Sequence, residues 1–146
     1  MRSILIALLM TLATQAGAEV VDKSFSFKGK KFHVLLHDNA REGCWTNLRE
    51  TREYSEEKLR MKGATLKESW DNNTFLLEIE VVATRNPNAD SQCFGMIRVS
   101  ISDMMYYKEP NRRLALVSEN NYALLQNKNM NTKVLDRISV ALAEFK

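Results

Sequence analysis

The chain contains two cysteines, Cys44 and Cys93, and a bond between them would constrain the fold more than any other feature of the sequence. Such a disulfide closes a loop of about 50 residues, and chain-entropy arguments value this constraint at about 4 kcal/mol. Neither cysteine has a CxxC partner or a histidine close by in sequence, so nothing local indicates an activated thiol. We therefore predict one structural disulfide. The alternative, a nucleophilic Cys44 with His33 or His37 as its base, requires Cys93 to stay free.

The first eighteen residues follow the pattern of a secretory signal peptide. Arg2 is a charged start, residues 4–12 form an apolar block, and residues 16–18 (Ala-Gly-Ala) resemble a cleavage site. The block is shorter than the roughly 20 apolar residues that span a bilayer, and the alternative is a buried N-terminal helix. We predict a signal peptide over residues 1–18 and a single domain over residues 19–146. A pair of cysteines behind a signal peptide indicates an oxidising compartment, and we predict secretion to the periplasm.

The charge balance argues against a nucleic-acid partner. The formal net charge is +3, and it falls to about +2 if Arg2 is removed with the signal peptide, whereas nucleic-acid binders carry a strongly basic face. Beyond residue 18, no apolar run is long enough to cross a membrane. One local basic cluster consists of Lys23, Lys28, Lys30 and Lys31. We interpret it as a solvated strand edge, where lysine blocks edge-to-edge pairing, rather than as a contact for anionic lipid or polysaccharide.

Apolar alternation and turn residues predict an α+β domain built on an antiparallel sheet. The sheet begins with an N-terminal hairpin over residues 19–38, which has a type II′ turn at residues 28–31. A four-stranded meander follows over residues 65–70, 74–85, 93–107 and 112–118. Its first turn pairs Trp70 with Phe75. The residues predicted to face the core are Leu77, Ile79, Val81, Ala83, Cys93, Gly95, Ile97, Val99, Ile101, Leu114 and Leu116.

A charged helix is predicted between the hairpin and the meander, over about residues 46–62, with Gly63 as its left-handed stop. Its apolar stripe is thin, because only Leu48 and Leu59 mark a clear inner face. Burial alone would hold such a helix weakly. We expect the disulfide and the tryptophan in residues 43–46 to fix its N-terminal end.

A second, amphipathic helix is predicted over about residues 132–145, with Asn131 or Thr132 as its N-cap. Its inner face consists of Val134, Leu135, Ile138, Ala141, Leu142 and Phe145. In element order, the predicted domain is similar to small envelope-assembly domains and to cystatin-like folds, although the QxVxG loop of the cystatins is absent. Similarity of this kind concerns the fold and does not assign a function.

The sequence contains no glycine-rich phosphate loop, no HExxH or GxSxG motif and no clustered Cys/His pattern. His33 and His37 would share a metal ion on a helix, but the surrounding alternation predicts a strand, on which this spacing separates them by about 13 Å. We predict no metal and no cofactor. Glu78 and Glu80 are the carboxylates that a hydrolase would use, although two carboxylates on a solvated strand are usually ordinary surface residues.

The outward side of the predicted meander carries the candidate interface. By strand parity it includes Met104, Tyr106, Glu78, Glu80 and Arg98. Methionine and tyrosine are enriched at protein interfaces, and the alternative is that they pack within the hairpin. We predict an exported, non-catalytic binding or envelope-assembly module with a protein partner in the cell envelope. The alternatives are a small exported hydrolase and a carrier of a small ligand or lipid.

Overall fold

The computed structural model describes residues 25–88, 92–106, 112–126 and 128–145, with the backbone alone for residues 104–106 and 112–115. The predicted signal peptide lies outside this part of the chain. The described elements are β1 (Lys31–Ala40), α1 (Leu48–Met61), β2 (Thr65–Leu66), β3 (Phe75–Arg85), β4 (Cys93–Tyr106), β5 (Arg112–Gln126) and α2 (Asn131–Glu144). The α+β class is confirmed, and both helices lie within two residues of their predicted bounds.

The sheet is mixed, so the prediction of a purely antiparallel sheet is wrong. Its strand order is β2-β1-β3-β4-β5, and β1 runs parallel to β2 and β3 while β3, β4 and β5 are antiparallel. Parallel neighbours need a long crossover, usually a helix, and α1 supplies it between β1 and β3. Side chains alternate in the same way along parallel and antiparallel strands, so the sequence pattern did not reveal the strand direction.

The predicted N-terminal hairpin is wrong within the described residues. Residues 25–30 contain no strand, and the turn lies one residue earlier than predicted. The Lys30 N–H donates to the Phe27 carbonyl at 3.1 Å, and Gly29, with a φ of 76°, is the second central residue of this turn. The Gly29 N–H donates to the Gly63 carbonyl at 2.9 Å. The turn therefore packs against the end of α1 instead of joining two antiparallel strands.

The predicted four-stranded meander has three strands. β2 contains two residues and pairs with β1 rather than with β3, so Trp70 and Phe75 are not cross-strand partners. The Trp70 indole instead donates to the Thr74 carbonyl at 3.0 Å across a turn. Within this turn the Asp71 carboxylate accepts from the Asn73 N–H at 3.0 Å. A local turn, and not a strand pair, accounts for this stretch.

β5 continues through the predicted break at Ser118. The β4–β5 register shifts between Ile101 and Ser102, whose partners are Ser118 and Leu116, so Val117 is an extra residue in β5. This β-bulge changes the facing of the residues that precede it. Leu116, predicted to face the core, is therefore 59% exposed.

Both helices cover one face of the sheet, which we call the inner face. α1 contacts β1 and β2, α2 contacts β4 and β5, and the helices contact each other. The described inner-face residues predicted from β3 and β4 are confirmed as core, apart from Gly95, which is partly exposed. On α2, every predicted inner residue is buried except Leu135, which is half-buried.

The buried side of α1 is partly polar. Thr51, Ser55 and Leu59 are each fully buried at intervals of four residues, which sets them on one side of the helix. The Trp45 indole donates to Thr51 Oγ1 at 3.3 Å, and Ser55 Oγ donates to the Thr51 carbonyl at 2.7 Å. These hydrogen bonds satisfy the hydroxyls that would otherwise be costly to bury. The inner side of α1 therefore extends beyond the two predicted leucines.

The disulfide between Cys44 and Cys93 is present, with the two Cα atoms 5.6 Å apart. A tight turn places Cys44 for this bond, because its N–H donates to the Arg41 carbonyl at 3.1 Å. The two central residues, Glu42 and Gly43, have φ values of 55° and 69°, as a type I′ turn requires. The turn reverses the chain at the end of β1 and directs Cys44 toward the start of β4.

The residues after this turn also hold the start of α2. The Met130 N–H donates to the Cys44 carbonyl at 2.7 Å. The Thr46 N–H donates to Asn131 Oδ1 at 3.0 Å, and Asn131 Nδ2 donates to Thr46 Oγ1 at 3.0 Å. The prediction that Asn131 or Thr132 caps α2 is wrong, because the N-cap is the buried Met130. The Asn131 side chain instead links α2 to the segment that begins α1.

Tyr122 joins β5 to α2. Its hydroxyl donates to Glu144 Oε2 at 2.7 Å, and the Arg137 guanidinium lies 5.4 Å from the centroid of its ring. Partial burial raises the pKa of Tyr122 to about 12, with a further contribution from the Glu144 carboxylate and an opposing one from Arg137. The sequence left this segment ambiguous, and the structure makes it the connection between the last strand and the last helix.

We predict that the Cys44→Ala/Cys93→Ala variant loses about 2–4 kcal/mol of unfolding free energy, because its unfolded chain is no longer cross-linked. The melting temperature should fall by roughly 10 °C. Chemical denaturation of both proteins measures the difference, and wild type with reductant provides the matched comparison. Equal stability of the two proteins without reductant would contradict a structural role for the bond.

Tyr122 should make stability fall at alkaline pH. The pKa of Tyr122 rises from 10.0 to about 12 on folding, so its stabilising contribution is complete below pH 10 and is lost as the pH rises through about 12. Phenolate absorbance of the native protein should show a late-titrating tyrosine that is missing from Tyr122→Phe, and the variant should lose less stability over this range. A late titration that persists in the variant would contradict this assignment.

Candidate functional site

The opposite face of the sheet, which we call the outer face, carries a cluster of exposed apolar side chains. Val82, Phe94, Met96 and Leu125 are 44%, 46%, 42% and 63% exposed, whereas their inner-face neighbour Ile97 is fully buried. These four side chains lie at the end of the sheet near the disulfide, and Leu116 of β5, 59% exposed, lies at the other end of the same face. Farther along the same face, Leu76, Ser100 and Ser102 are buried.

The strand register makes these side chains neighbours. Val82 of β3 lies opposite Met96 of β4, and Phe94 of β4 lies opposite Leu125 of β5. Phe94 and Met96 are two residues apart on one strand, so they lie on the same face. Ala123, opposite Met96 on β5, is also exposed. We call Val82, Phe94, Met96, Ala123 and Leu125 the outer-face patch.

An open groove of about 760 Å³ borders the patch. It is lined by Asp38, Asn39, Ala40, Arg41, Val82, Ala83, Thr84, Phe94 and Gly95. Gly95 lets β3 and β4 approach closely here, because a Cβ atom on it would lie 2.7 Å from the Ala83 Cα and 2.9 Å from the Ala83 Cβ. Gly95 and Ala83, which approach each other closely, both line the groove.

A row of paired polar side chains lies next to the patch. Arg98 Nη2 is 2.7 Å from Glu80 Oε2 across β3 and β4, and Asn39 Nδ2 donates to Glu80 Oε1 at 2.9 Å. Two of the five residues predicted for an interface, Glu80 and Arg98, are thus brought together beside Val82 and Met96. An exposed pair of this kind adds less than about 1 kcal/mol of stability. The contacts with Arg98 and Asn39 hold the Glu80 carboxylate beside the apolar side chains of the patch.

Glu78, also predicted for the interface, belongs to a second polar row. Its Oε1 lies 3.3 Å from His37 Nε2, and its Oε2 accepts from Ser102 Oγ at 3.2 Å. In a serine hydrolase the histidine stands between the serine and the carboxylate. Here the carboxylate is in the middle, so His37 is not placed to take the Ser102 proton. This arrangement orients side chains and gives no support to hydrolysis.

Met104 and Tyr106 complete the predicted interface, and their side chains lie outside the part that the structure describes. Their backbone belongs to β4, at the end distant from the patch. Eight residues separate Met96 from Met104, which is about 26 Å along a strand. Any interface that includes both ends of β4 therefore extends along most of the sheet.

None of the residues of the outer-face patch is among the interface residues predicted from the sequence. Cys93 is predicted on the inner face, and that parity places Phe94 and Met96 outward. Large apolar residues on the solvent side of a strand were the signal that could have identified the surface. Leu125 was harder to assign, because the bulge at Val117 and the ambiguous end of β5 hid its register.

The described residues gather no set of metal ligands, and a second groove is smaller than the one beside the patch. Within these ranges, no three His, Cys, Asp or Glu side chains come together to hold a metal ion. The space between α1 and β1 is a groove of about 330 Å³, lined by Leu36, Asp38, Leu48, Arg49 and Arg52. Of the helices described, neither is both long enough and apolar enough to cross a bilayer.

Comparison with known proteins identifies the fold. No protein-family model matches the chain, and no curated protein matches it. The dodecamer of a PelC point variant from Paraburkholderia phytofirmans is similar, with a TM-score of 0.52 and 12% identity over 83% of this chain and 90% of that chain. The hypothetical protein CT253 from Chlamydia trachomatis reaches 0.47 at 10% identity, over 80% and 97% of the two chains. At these identities, the first similarity shows the fold alone, and the second carries no argument.

We predict that Gly95→Ala destabilises the protein by about 1–3 kcal/mol, because the added methyl group forces β3 and β4 apart. Ala123→Ser, on the neighbouring strand and exposed, should change stability by less than about 0.5 kcal/mol. Thermal unfolding of the two variants makes the comparison. An unchanged melting temperature for Gly95→Ala would mean that the strands do not approach as closely as described.

Proposed function

We propose that the protein is an exported, non-catalytic binding module of the cell envelope that binds a protein partner with the outer face of its sheet. The observation that carries the proposal is the outer-face patch. Isolated apolar side chains are normal on protein surfaces, but a contiguous group with a polar border is typical of an interaction site. Both helices pack on the inner face of the sheet, so neither helix covers these side chains.

Two features support an envelope location, and a third supports a role in assembly. The pattern of residues 1–18 is that of a signal peptide that directs export. The disulfide between Cys44 and Cys93 suits an oxidising compartment such as the periplasm. A similar fold occurs in PelC of Paraburkholderia phytofirmans, which forms a dodecamer, and this supports a role in assembly.

The chemistry of the outer face favours a protein partner. Phe94 and Met96 provide an aromatic and an adaptable side chain at its apolar centre, as many protein interfaces do. Glu80 and Arg98 form a polar border that remains satisfied in the free protein. A partner that covers the patch therefore gains apolar burial without first breaking a buried polar network. By strand parity, Met104 and Tyr106 extend the proposed surface along β4.

The groove beside the patch favours a second candidate, a carrier of a small ligand. Its volume of about 760 Å³ is within the range of ligand pockets, but it is open and only partly apolar in its lining residues. An apolar ligand bound there would contact Val82 and Phe94. The same variants therefore test both candidates, and the mass of the bound species separates them.

Photo-cross-linking tests the proposal. A photoreactive phenylalanine analogue at Met96 should give one discrete protein adduct in the envelope fraction of the source cells. Adding Phe94→Ser should remove that adduct, because it deletes the largest apolar side chain of the patch. Met104→Ser/Tyr106→Ser should weaken the adduct if the interface extends along β4.

The matched control places the same analogue at Met61, which is 72% exposed on α1 and remote from the outer face. An adduct pattern shared by the two positions would contradict a specific interface. An adduct of twice the protein mass would identify a second copy of this chain as the partner. A bound small molecule in native mass spectra, lost in Phe94→Ser, would favour the carrier instead.

A further inference from the structure

Five lysines from three separate segments converge at the end of the sheet opposite the disulfide. Lys28, Lys30 and Lys31 belong to the turn before β1 and to its first residue, Lys62 is the C-cap of α1, and Lys67 follows β2. The backbone joins these segments directly. The Thr65 N–H donates to the Lys30 carbonyl at 2.9 Å, and the Lys67 N–H donates to the Phe32 carbonyl at 2.8 Å. We call these five residues the lysine cluster.

Among the described residues, no lysine of the cluster belongs to an ion pair. Arg49, Arg60 and Arg98, by contrast, each pair with a glutamate. The Asp71 carboxylate is close enough to Lys31 and Lys67 to interact electrostatically with both. This carboxylate already accepts hydrogen bonds from the Thr74 hydroxyl and the Asn73 N–H.

Aromatic rings hold two of these ammonium groups in place. Lys30 Nζ lies 4.6 Å from the Phe75 ring centroid and 5.3 Å from that of Phe25, and Lys62 Nζ lies 5.0 Å from that of Phe27. Such contacts fix a lysine without neutralising its charge. Lys28, Lys31 and Lys67 are exposed around them. The result is a basic surface in which three lysines are exposed and two lie against aromatic rings.

We propose that the lysine cluster binds the anionic headgroups of a phospholipid membrane. Lysine presents a point charge without the planar fork with which arginine grips a single phosphate, and this suits a diffuse, fluid layer of charge. The cluster lies on a turn, a helix end and a strand end, and both described grooves lie elsewhere. A flat anionic surface can contact such projecting ends together. A polysaccharide chain would be better held by a groove.

Lys28 and Lys30, which the sequence pattern places on a strand edge, lie in residues 25–30, which form no strand in the structure. Lys31 begins β1, and Lys23 lies outside the described residues. Lys62 and Lys67, distant in sequence, join the same surface. Several lysines near an anionic membrane produce reversible, salt-sensitive binding rather than permanent anchoring.

Vesicle sedimentation tests the proposal. The protein should bind vesicles of phosphatidylcholine and phosphatidylglycerol and should not bind vesicles of phosphatidylcholine alone. Binding should be lost near 1 M salt, where the Debye length shrinks to about 3 Å. Lys31→Gln/Lys67→Gln should weaken the partition coefficient roughly 30-fold, which corresponds to about 1 kcal/mol for each lysine. Lys31→Arg/Lys67→Arg keeps the charge and should bind as wild type does.

The matched control is Lys128→Gln/Lys133→Gln, which removes the same charge near the start of α2, at the other end of the sheet. It should weaken binding by less than about threefold, because the removed charges lie beyond a Debye length from the lipid. Circular dichroism checks that each variant is folded, and Lys28→Gln/Lys67→Gln replaces the first pair if it is not.

Three results would overturn the proposal. They are equal losses in the two glutamine variants, no binding of wild type to anionic vesicles, and binding of a soluble anionic polysaccharide such as alginate in place of vesicles. Because the lysine cluster and the outer-face patch share no residue, Phe94→Ser should leave vesicle binding intact. Failure of either proposal is therefore distinguishable from failure of the other.

Discussion

The bond between Cys44 and Cys93, together with the turn before it, is the constraint on which the rest of the structure depends. It fixes the chain that leaves β1 to the first residue of β4, and Met130 then attaches the start of α2 to the same point. The buried side of α1 contains Thr51 and Ser55 as well as Leu59, so the burial of apolar side chains accounts for only part of its attachment to the sheet. Its N-terminal end is instead fixed through the disulfide segment.

This attachment holds both helices on one face of the sheet. Two surfaces of different chemistry remain exposed, the outer-face patch and the lysine cluster. The outer-face patch lies near the disulfide, and the lysine cluster lies at the opposite end of β1. The ten residues of β1 correspond to about 33 Å. A module held to a membrane through the lysine cluster would therefore present its apolar patch away from the lipid. That arrangement suits a protein that recruits a partner near a membrane surface.

The sequence was informative where a local pattern determines the outcome. The helical spacing of Val134 and Ile138, the alternation of Ile97 and Val99 and the left-handed stop at Gly63 were all predictable, and Gly63 has a φ of 81°. Strand direction was not predictable, because pairing partners depend on contacts distant in sequence. The bulge at Val117 and the outward position of Leu125 were not predictable for the same reason, since each depends on how β4 and β5 align, whereas the parity of Cys93 was enough to place Phe94 and Met96 outward.

The most direct measurement of the central claim, that the helices cover one face of the sheet and leave the other open, is the rate of methionine oxidation in the isolated protein. Met96 is 42% exposed on the outer face, and Met130 is fully buried beneath the start of α2. Mild peroxide treatment followed by peptide mass spectrometry should therefore show rapid sulfoxide formation at Met96 and protection at Met130. Equal protection of the two methionines would mean that the outer face is covered, and would contradict its role as a binding surface.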